Sequence, residues 1–156
     1  MKVVDTNLIN PVKFTGGNSY RFITKEDNFG FAAMRTEIDK GGAYKWHYPH
    51  HKEVCYCVYG NGTLKNLNTG EVYEIRSGIA YTVPFDTPHE FFANEETILI
   101  SIFNPPLLGN ESHDKNGFYP KSLYQIEKAK KIIKAVKSSK DIYTEIEKVC
   151  EILNNI

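Results

Sequence analysis

From Lys40 to Pro106 the chain is punctuated by turn signals at short intervals: Lys40-Gly41-Gly42, Gly60-Asn61-Gly62, Asn68-Thr69-Gly70, Ser77-Gly78, Phe85-Asp86-Thr87-Pro88, Asn94-Glu95-Glu96 and Pro105-Pro106. Between them lie short runs rich in β-branched and aromatic residues, the composition of strands. The expected strands are Tyr20 to Lys25, Phe29 to Asp39, Glu53 to Tyr59, Thr63 to Leu67, Glu71 to Ile75, Ile79 to Pro84, His89 to Ala93 and Thr97 to Asn104. Gly60-Asn61-Gly62 is expected to start a hairpin, and 14–18 reads as a loop. Many short strands at close spacing predict an all-β sandwich or barrel.

The strand after Glu53 is the most informative. Side chains two apart on a strand share a face, so Glu53, Cys55 and Cys57 point one way and Val54, Tyr56 and Val58 the other. A carboxylate facing a barrel interior must be paired or metal-bound, because a buried unpaired charge is too costly. Glu53 therefore reads as a metal ligand. His47, His50 and His51 lie just upstream, and at least one of them is expected to face solvent.

Composition fits one ordinary globular domain: 156 residues, 41% hydrophobic and 24% charged, with 19 basic against 19 acidic residues. That balance gives no footprint for nucleic acid or for a membrane surface. The longest apolar run, Ile98 to Phe103, is too short to span a bilayer. The N-terminal run Met-Lys-Val-Val-Asp-Thr-Asn lacks the apolar core of a signal peptide. Three cysteines, two of them on one strand, make a poor disulfide framework. The expected compartment is the cytoplasm.

After Pro105-Pro106 the segment Leu107 to Pro120 is polar and glycine-containing, and is expected to wrap a surface or cover an opening. Beyond it the period changes. Leu123, Ile126, Ile133 and Val136, then Ile142, Ile146, Val149, Ile152 and Leu153, fall at roughly helical spacing. The expected organisation is a β domain over 1–120 and a C-terminal α-helical hairpin over 121–156. The lysines of the first helix read as a solvated face.

The turn spacing matches a cupin, a small double-stranded β-helix barrel. Gly60 follows Glu53 at the interval the first cupin motif requires, and His47 takes its first histidine position. In the second motif Gly70 and Gly78 fit, the proline is lost, and Tyr81 stands where the metal histidine belongs. The inward metal-capable groups that remain are Glu53, Tyr81 and His89, the last two expected to meet across a hairpin. A carboxylate, a phenolate and an imidazole suit Fe(II), with Zn(II) or Mn(II) as alternatives. The plainer reading makes Tyr81 and His89 ordinary barrel-lining residues.

Three runs carry a closer resemblance. W-H-Y-x-x-H-x-E-x-x-Y-C spans Trp46 to Cys57, and G-x-x-Y-x-x-x-x-D-x-x-H spans Gly78 to His89. F-N-P-P-x-x-G-x-E-x-H-D-x-x-G-x-Y-P spans Phe103 to Pro120. Together, over about residues 1–120, they resemble the ectoine synthase family of cupin lyases. The resemblance implies ring closure of an N-acetylated diaminobutyrate with loss of water, and iron held by Glu53, Tyr81 and His89. It implies a substrate pocket lined by Ser19, Arg21, Thr36, Tyr48, Phe103, Glu111 and His113. Family positions differ at Gly17, Met34 and Ser101. On this reading Glu111 and His113 share proton transfer, Tyr48 donates to the developing charge, and Arg21 clamps a carboxylate. Thr36 orients a polar group, and Phe103 shapes the pocket. The rival readings are a related cupin enzyme acting on another small amino, N-acyl or amino-sugar substrate, and a non-catalytic small-molecule-binding cupin. A homodimer is the expected assembly, since cupins often pair through their sheets.

Overall fold

The computed structural model describes residues 1–114, 117–119, 129–134 and 146–147. The chain divides into two units, Met1–Pro120 and Lys121–Ile156. In the second, residues 129–134 and 146–147 are helical, and the expected hairpin otherwise lies outside the described residues. No helix among the described residues is long and apolar enough to cross a membrane.

The first unit is built from ten described strands. They are β1 (Val12–Phe14), β2 (Gly17–Ile23), β3 (Ala32–Ile38), β4 (Ala43–Trp46), β5 (Lys52–Tyr59), β6 (Asn61–Asn66), β7 (Val72–Arg76), β8 (Ala80–Val83), β9 (His89–Ala93) and β10 (Thr97–Asn104). A six-stranded sheet in the order β1-β2-β3-β10-β5-β8 and a four-stranded sheet in the order β4-β9-β6-β7 form the cupin barrel. Period-two alternation is what makes it a barrel. Along β5, Glu53, Cys55 and Cys57 are buried while Val54, Tyr56 and Val58 are exposed, as the sequence pattern predicts.

Two expectations about connectivity are corrected. Gly60-Asn61-Gly62 does not start a hairpin: β5 pairs with β10 and β8 in the large sheet, β6 with β7 and β9 in the small one. The chain turns a corner between sheets there. Gly60 has φ +86°, and a Cβ on it would collide with the Glu96 carbonyl and lie 2.7 Å from Thr97 Cα. Likewise β8 and β9 are not a hairpin but belong to two different sheets, so Tyr81 and His89 come from separate sheets, and both line one cavity at the seam beside β8. Two strands escaped the sequence reading, β1 and β4. Each is short, and the glycines at 16–17 and 41–42 beside them read as loop.

Apolar side chains fill the barrel in two clusters. Phe91, Leu99, Cys57, Leu64 and Ile75 pack between the sheets at one end. Met34, Tyr48, Phe103, Leu107 and Tyr119 pack at the other, and Trp46 touches both. Fully burying each large side chain contributes about 1.5–3 kcal/mol. Gly60→Ala should cost roughly 1–3 kcal/mol from the left-handed backbone alone, and more from the collision. A urea midpoint indistinguishable from wild type would show that this corner is not constrained.

Candidate active site

Glu53 comes from β5, Tyr81 from its neighbour β8, and His89 from β9 on the opposing sheet. Register sets the first two: Cys55 lies opposite Tyr81, so Glu53 and Tyr81 face inward one step apart. Glu53 is 7% and His89 3% exposed. His89 Nδ1 donates to the Thr87 carbonyl at 3.0 Å, which leaves Nε2 as the lone-pair nitrogen. That nitrogen stands 4.0 Å from Glu53 Oε2. This is too long for a hydrogen bond and somewhat wider than the spacing of about 3.4 Å between two donors on one tetrahedral ion with bonds of about 2.1 Å.

The electrostatics agree with a cation site. Burial pushes the Glu53 carboxyl up to about 7, with hydrogen bonds from Cys55 and Ser101 offsetting part of the rise. A carboxylate so poorly solvated is stabilised by any cation placed beside it. Burial also lowers His89, keeping the neutral imidazole that ligates metals, and raises the Tyr81 phenol. Among the described residues no three His, Cys, Asp or Glu side chains converge on one point. The set depends on the Tyr81 phenol for its third donor.

Beside this trio is a wall of rings. Tyr48 is 3% exposed and packs edge-on to His89, with ring centres 5.4 Å apart. Its hydroxyl meets His113 Nε2 at 3.1 Å. Burial holds the Tyr48 phenol well above its usual range and, with the Arg21 charge, pushes His113 down to about 3. Tyr48 is therefore the donor and His113 a neutral acceptor. Tyr119 stacks on His113 with ring centres 4.1 Å apart.

The sequence reading gave Arg21 to a substrate carboxylate and Glu111 to proton transfer. In the structure each holds the other. Arg21 Nη1 donates to Glu111 Oε2 at 2.9 Å, and Nη2 to the Glu111 carbonyl at 2.6 Å. The same carboxylate accepts from the Leu108 and Gly109 amides at 2.5 and 2.7 Å. Both side chains are nearly buried, 3% and 9% exposed. Glu111 thus ties the described part of the 105–119 segment to β2. Lys25 N donates to the Leu107 carbonyl at 2.8 Å, and His47 N to the Gly117 carbonyl at 3.2 Å. Leu107 and Tyr119 are buried in the cluster with Tyr48 and Phe103, so the described residues of this segment pack onto the barrel.

Ser19, Thr36, Tyr48, Glu53, Tyr81, Phe103 and His113 line one inner chamber. Arg21 and Glu111 do not line it, and His89 borders it through Glu53 and Tyr48. Thr36 Oγ1 donates to Ser101 Oγ at 3.2 Å, which meets Cys55 Sγ at 3.3 Å. A polar chain therefore runs from Thr36 toward Glu53. His47 turns outward to Asp86 at 2.6 Å, and buried His51 donates Nδ1 to the Pro105 carbonyl at 2.8 Å. Sequence reasoning missed Phe14, Trp46 and Tyr119 as parts of the site. The last two stand inside the quoted motifs, and that was the signal available for them.

A model of the family described as ectoine synthase matches residues 2–123. The chain is similar to the L-ectoine synthase of Mycobacteroides abscessus, 37% identical over 105 residues, covering 67% of this chain and 81% of that protein. The L-ectoine synthase of Nocardia farcinica is 38% identical over 105 residues, covering 67% and 80%. The crystal structure of ectoine synthase from P. lautus superposes with a TM-score of 0.67 at 29% identity, covering 70% of this chain and 81% of that one.

Proposed function

The chain belongs to the ectoine synthase family, and on that premise we propose that it is a hydro-lyase condensing N-acetylated diaminobutyrate to the cyclic amidine ectoine. The observation that carries the reading is one chamber lined by Glu53, Tyr81 and the hydrogen-bonded Tyr48–His113 pair, with His89 beside it 4.0 Å from Glu53.

Glu53, Tyr81 and His89 would hold iron(II), with Zn(II) or Mn(II) as alternatives; when bound, the ion supplies Lewis acidity at the acetyl oxygen. Ring closure forms a bond from the free amine nitrogen to the acetyl carbon, and the bond from that carbon to oxygen breaks. Both hydrogens of the neutral attacking amine leave with that oxygen as water, so no oxidant or reductant is needed. Tyr48 takes one of these protons at its hydroxyl oxygen while passing its own to His113 Nε2. His113, weakly basic in its buried setting, readily returns the proton through Tyr48 to the departing oxygen. Thr36, Ser19 and Ser101 offer hydroxyls to the polar ends of the substrate, and Phe103 bounds the apolar middle.

Iron-loaded protein given the acetylated diaminobutyrate should yield product lighter by one water. Absence of product with metal bound would remove this assignment. Tyr48→Phe keeps the ring packing and removes the donor, so kcat should fall roughly 10²–10⁴-fold, with KM little changed. A kcat within threefold of wild type would exclude the relay.

A second reading is favoured by Met34 and Ser101, both of which line the chamber at positions where the family differs. It is a related enzyme on another small amino, N-acyl or amino-sugar substrate, and a substrate screen with metal-loaded protein separates the two. We further propose a cytoplasmic homodimer. Its support is the outer face of β5, where Val54, Tyr56 and Val58 are 43%, 48% and 45% exposed. A second copy would cover them, and light scattering decides it.

A further inference from the structure

The inner chamber is narrow. Its volume is about 20 Å³, enough for one water, whereas sites for small molecules run to about 300–1,000 Å³. Outside it lies a cavity of about 560 Å³ lined by residues of β1 and β4 and by Ser112, His113, Asp114 and Gly117. Among the described residues, three line both spaces: Phe14, Trp46 and His113. All three are rings in mutual contact. Phe14 packs edge-on to Trp46 at 6.0 Å and to His113 at 5.8 Å, and Trp46 stacks on His113 at 6.2 Å.

The rest of the outer wall mixes Ala43, Tyr44 and Gly117 with polar side chains. Lys13, Thr15, Lys45, Ser112 and Asp114 face it. Among the described residues the inner chamber is lined by no lysine or arginine. A carboxylate-bearing amine therefore meets its first charged partners of both signs outside the rings.

We propose that the outer cavity is a vestibule for the substrate, a small zwitterionic amino acid, and that Phe14, Trp46 and His113 form the gate between it and the chamber. This rests on the reading of the chamber as the reaction site. The partition separates by moving rings rather than backbone. Phe14 lies on edge strand β1, paired on one side only, and His113 lies on the covering segment. A rival path exists along the seam between β7 and β8, where a cavity of about 390 Å³ reaches Tyr81 and His89. It shares only Tyr81 with the chamber lining among the described residues. The hydroxyl-bearing wall of Ser19 and Thr36 lies away from it.

The test reads access without substrate. Cys55, hydrogen-bonded to Ser101 of the chamber wall, is labelled with methyl methanethiosulfonate and followed by tandem mass mapping on the full chain. Cys57, buried further along β5 with its thiol toward the Tyr59 carbonyl, is the internal reference. Phe14→Ala should speed Cys55 labelling about tenfold or more, since the rate follows the population of the open form, and leave Cys57 unchanged. Ala43→Trp, filling the outer cavity from the exposed face of β4, should slow Cys55 labelling and lower kcat/KM with kcat unchanged. Ala80→Trp, filling the seam, should do neither. Equal acceleration of both cysteines by Phe14→Ala would mean a loosened barrel and overturns the gate. So does slowing by Ala80→Trp in place of Ala43→Trp. If Phe14→Ala does not fold, the two tryptophan variants decide alone. Turnover that fails while this labelling pattern holds counts against the proposed reaction and not against the gate.

Discussion

Glu53→Ala is expected to fold, to bind no iron, and to lose turnover by roughly 10³-fold or more. A bound ion acting as Lewis acid is worth several kcal/mol in the transition state, and each 1.36 kcal/mol is tenfold in rate. Removing the carboxylate leaves Tyr81 and His89, one neutral phenol and one neutral imidazole, with no charge to hold a dication. Metal analysis of the purified variant is the direct check, and stoichiometric iron would refute the ligand role. The metal-free protein gives an independent reading. A carboxyl that ionises near 7 when folded and near 4.5 when unfolded favours the folded state less as pH rises between those values. At about 1.4 kcal/mol per pH unit the loss reaches about 3 kcal/mol above pH 7. Glu53→Gln should therefore stabilise metal-free protein at pH 8 and change little at pH 4. Urea unfolding at the two pH values, with chelator present, tests it. Equal effects at both would mean that Glu53 ionises as an ordinary carboxylate.

Glu111→Ala should be the most destabilising single change in the covering segment, by about 3–5 kcal/mol. That is the usual result of stripping one partner from a buried ion pair, since the other charge stays buried and uncompensated. Here the Arg21 guanidinium is left, and the Leu108 and Gly109 amides also lose their acceptor. Replacing both partners, as Arg21→Met with Glu111→Leu, should recover much of the stability, because the desolvation penalty disappears with the charges. Turnover should fall in the single variant through His113, two residues on. The distinction from a direct proton-transfer role lies in Glu111→Gln. A positioning carboxylate replaced by an amide keeps an acceptor for the two backbone amides, so kcat should stay within about tenfold and both limbs of the pH–rate profile should remain. Loss of one limb, with kcat down roughly 10²–10⁴-fold, would return Glu111 to the chemistry.

The inward face of β5 was legible because strand alternation is local. Glu53, Cys55 and Cys57 share a face whatever the rest of the chain does, and a carboxylate on an inward face narrows its own explanation. The Arg21–Glu111 pair was not legible in that way. Its partners are 90 positions apart, and no periodicity relates an arginine on β2 to a glutamate on a loop after β10. A family resemblance placed both in the pocket, but only side-chain contacts tell that each saturates the other. The corner at Gly60 misled for a related reason. A glycine-flanked turn reads as a hairpin from either side, and whether the next strand rejoins its neighbour or crosses to the facing sheet depends on what β10 and β9 already occupy.

The order of amino acids alone determined which side chains point inward, where the chain must turn, and that an acid, a phenol and an imidazole lie within reach of one barrel interior. Backbone sterics and two-residue periodicity act over a few residues, so they are written in the sequence. Tertiary structure decided which of the polar groups remain available. Burial sets Tyr48 as donor and His113 as acceptor, pairing holds Arg21 and Glu111 to each other outside the chamber lining, and three rings from distant segments come together at its edge. Those outcomes follow from desolvation and contact between segments that meet only after folding.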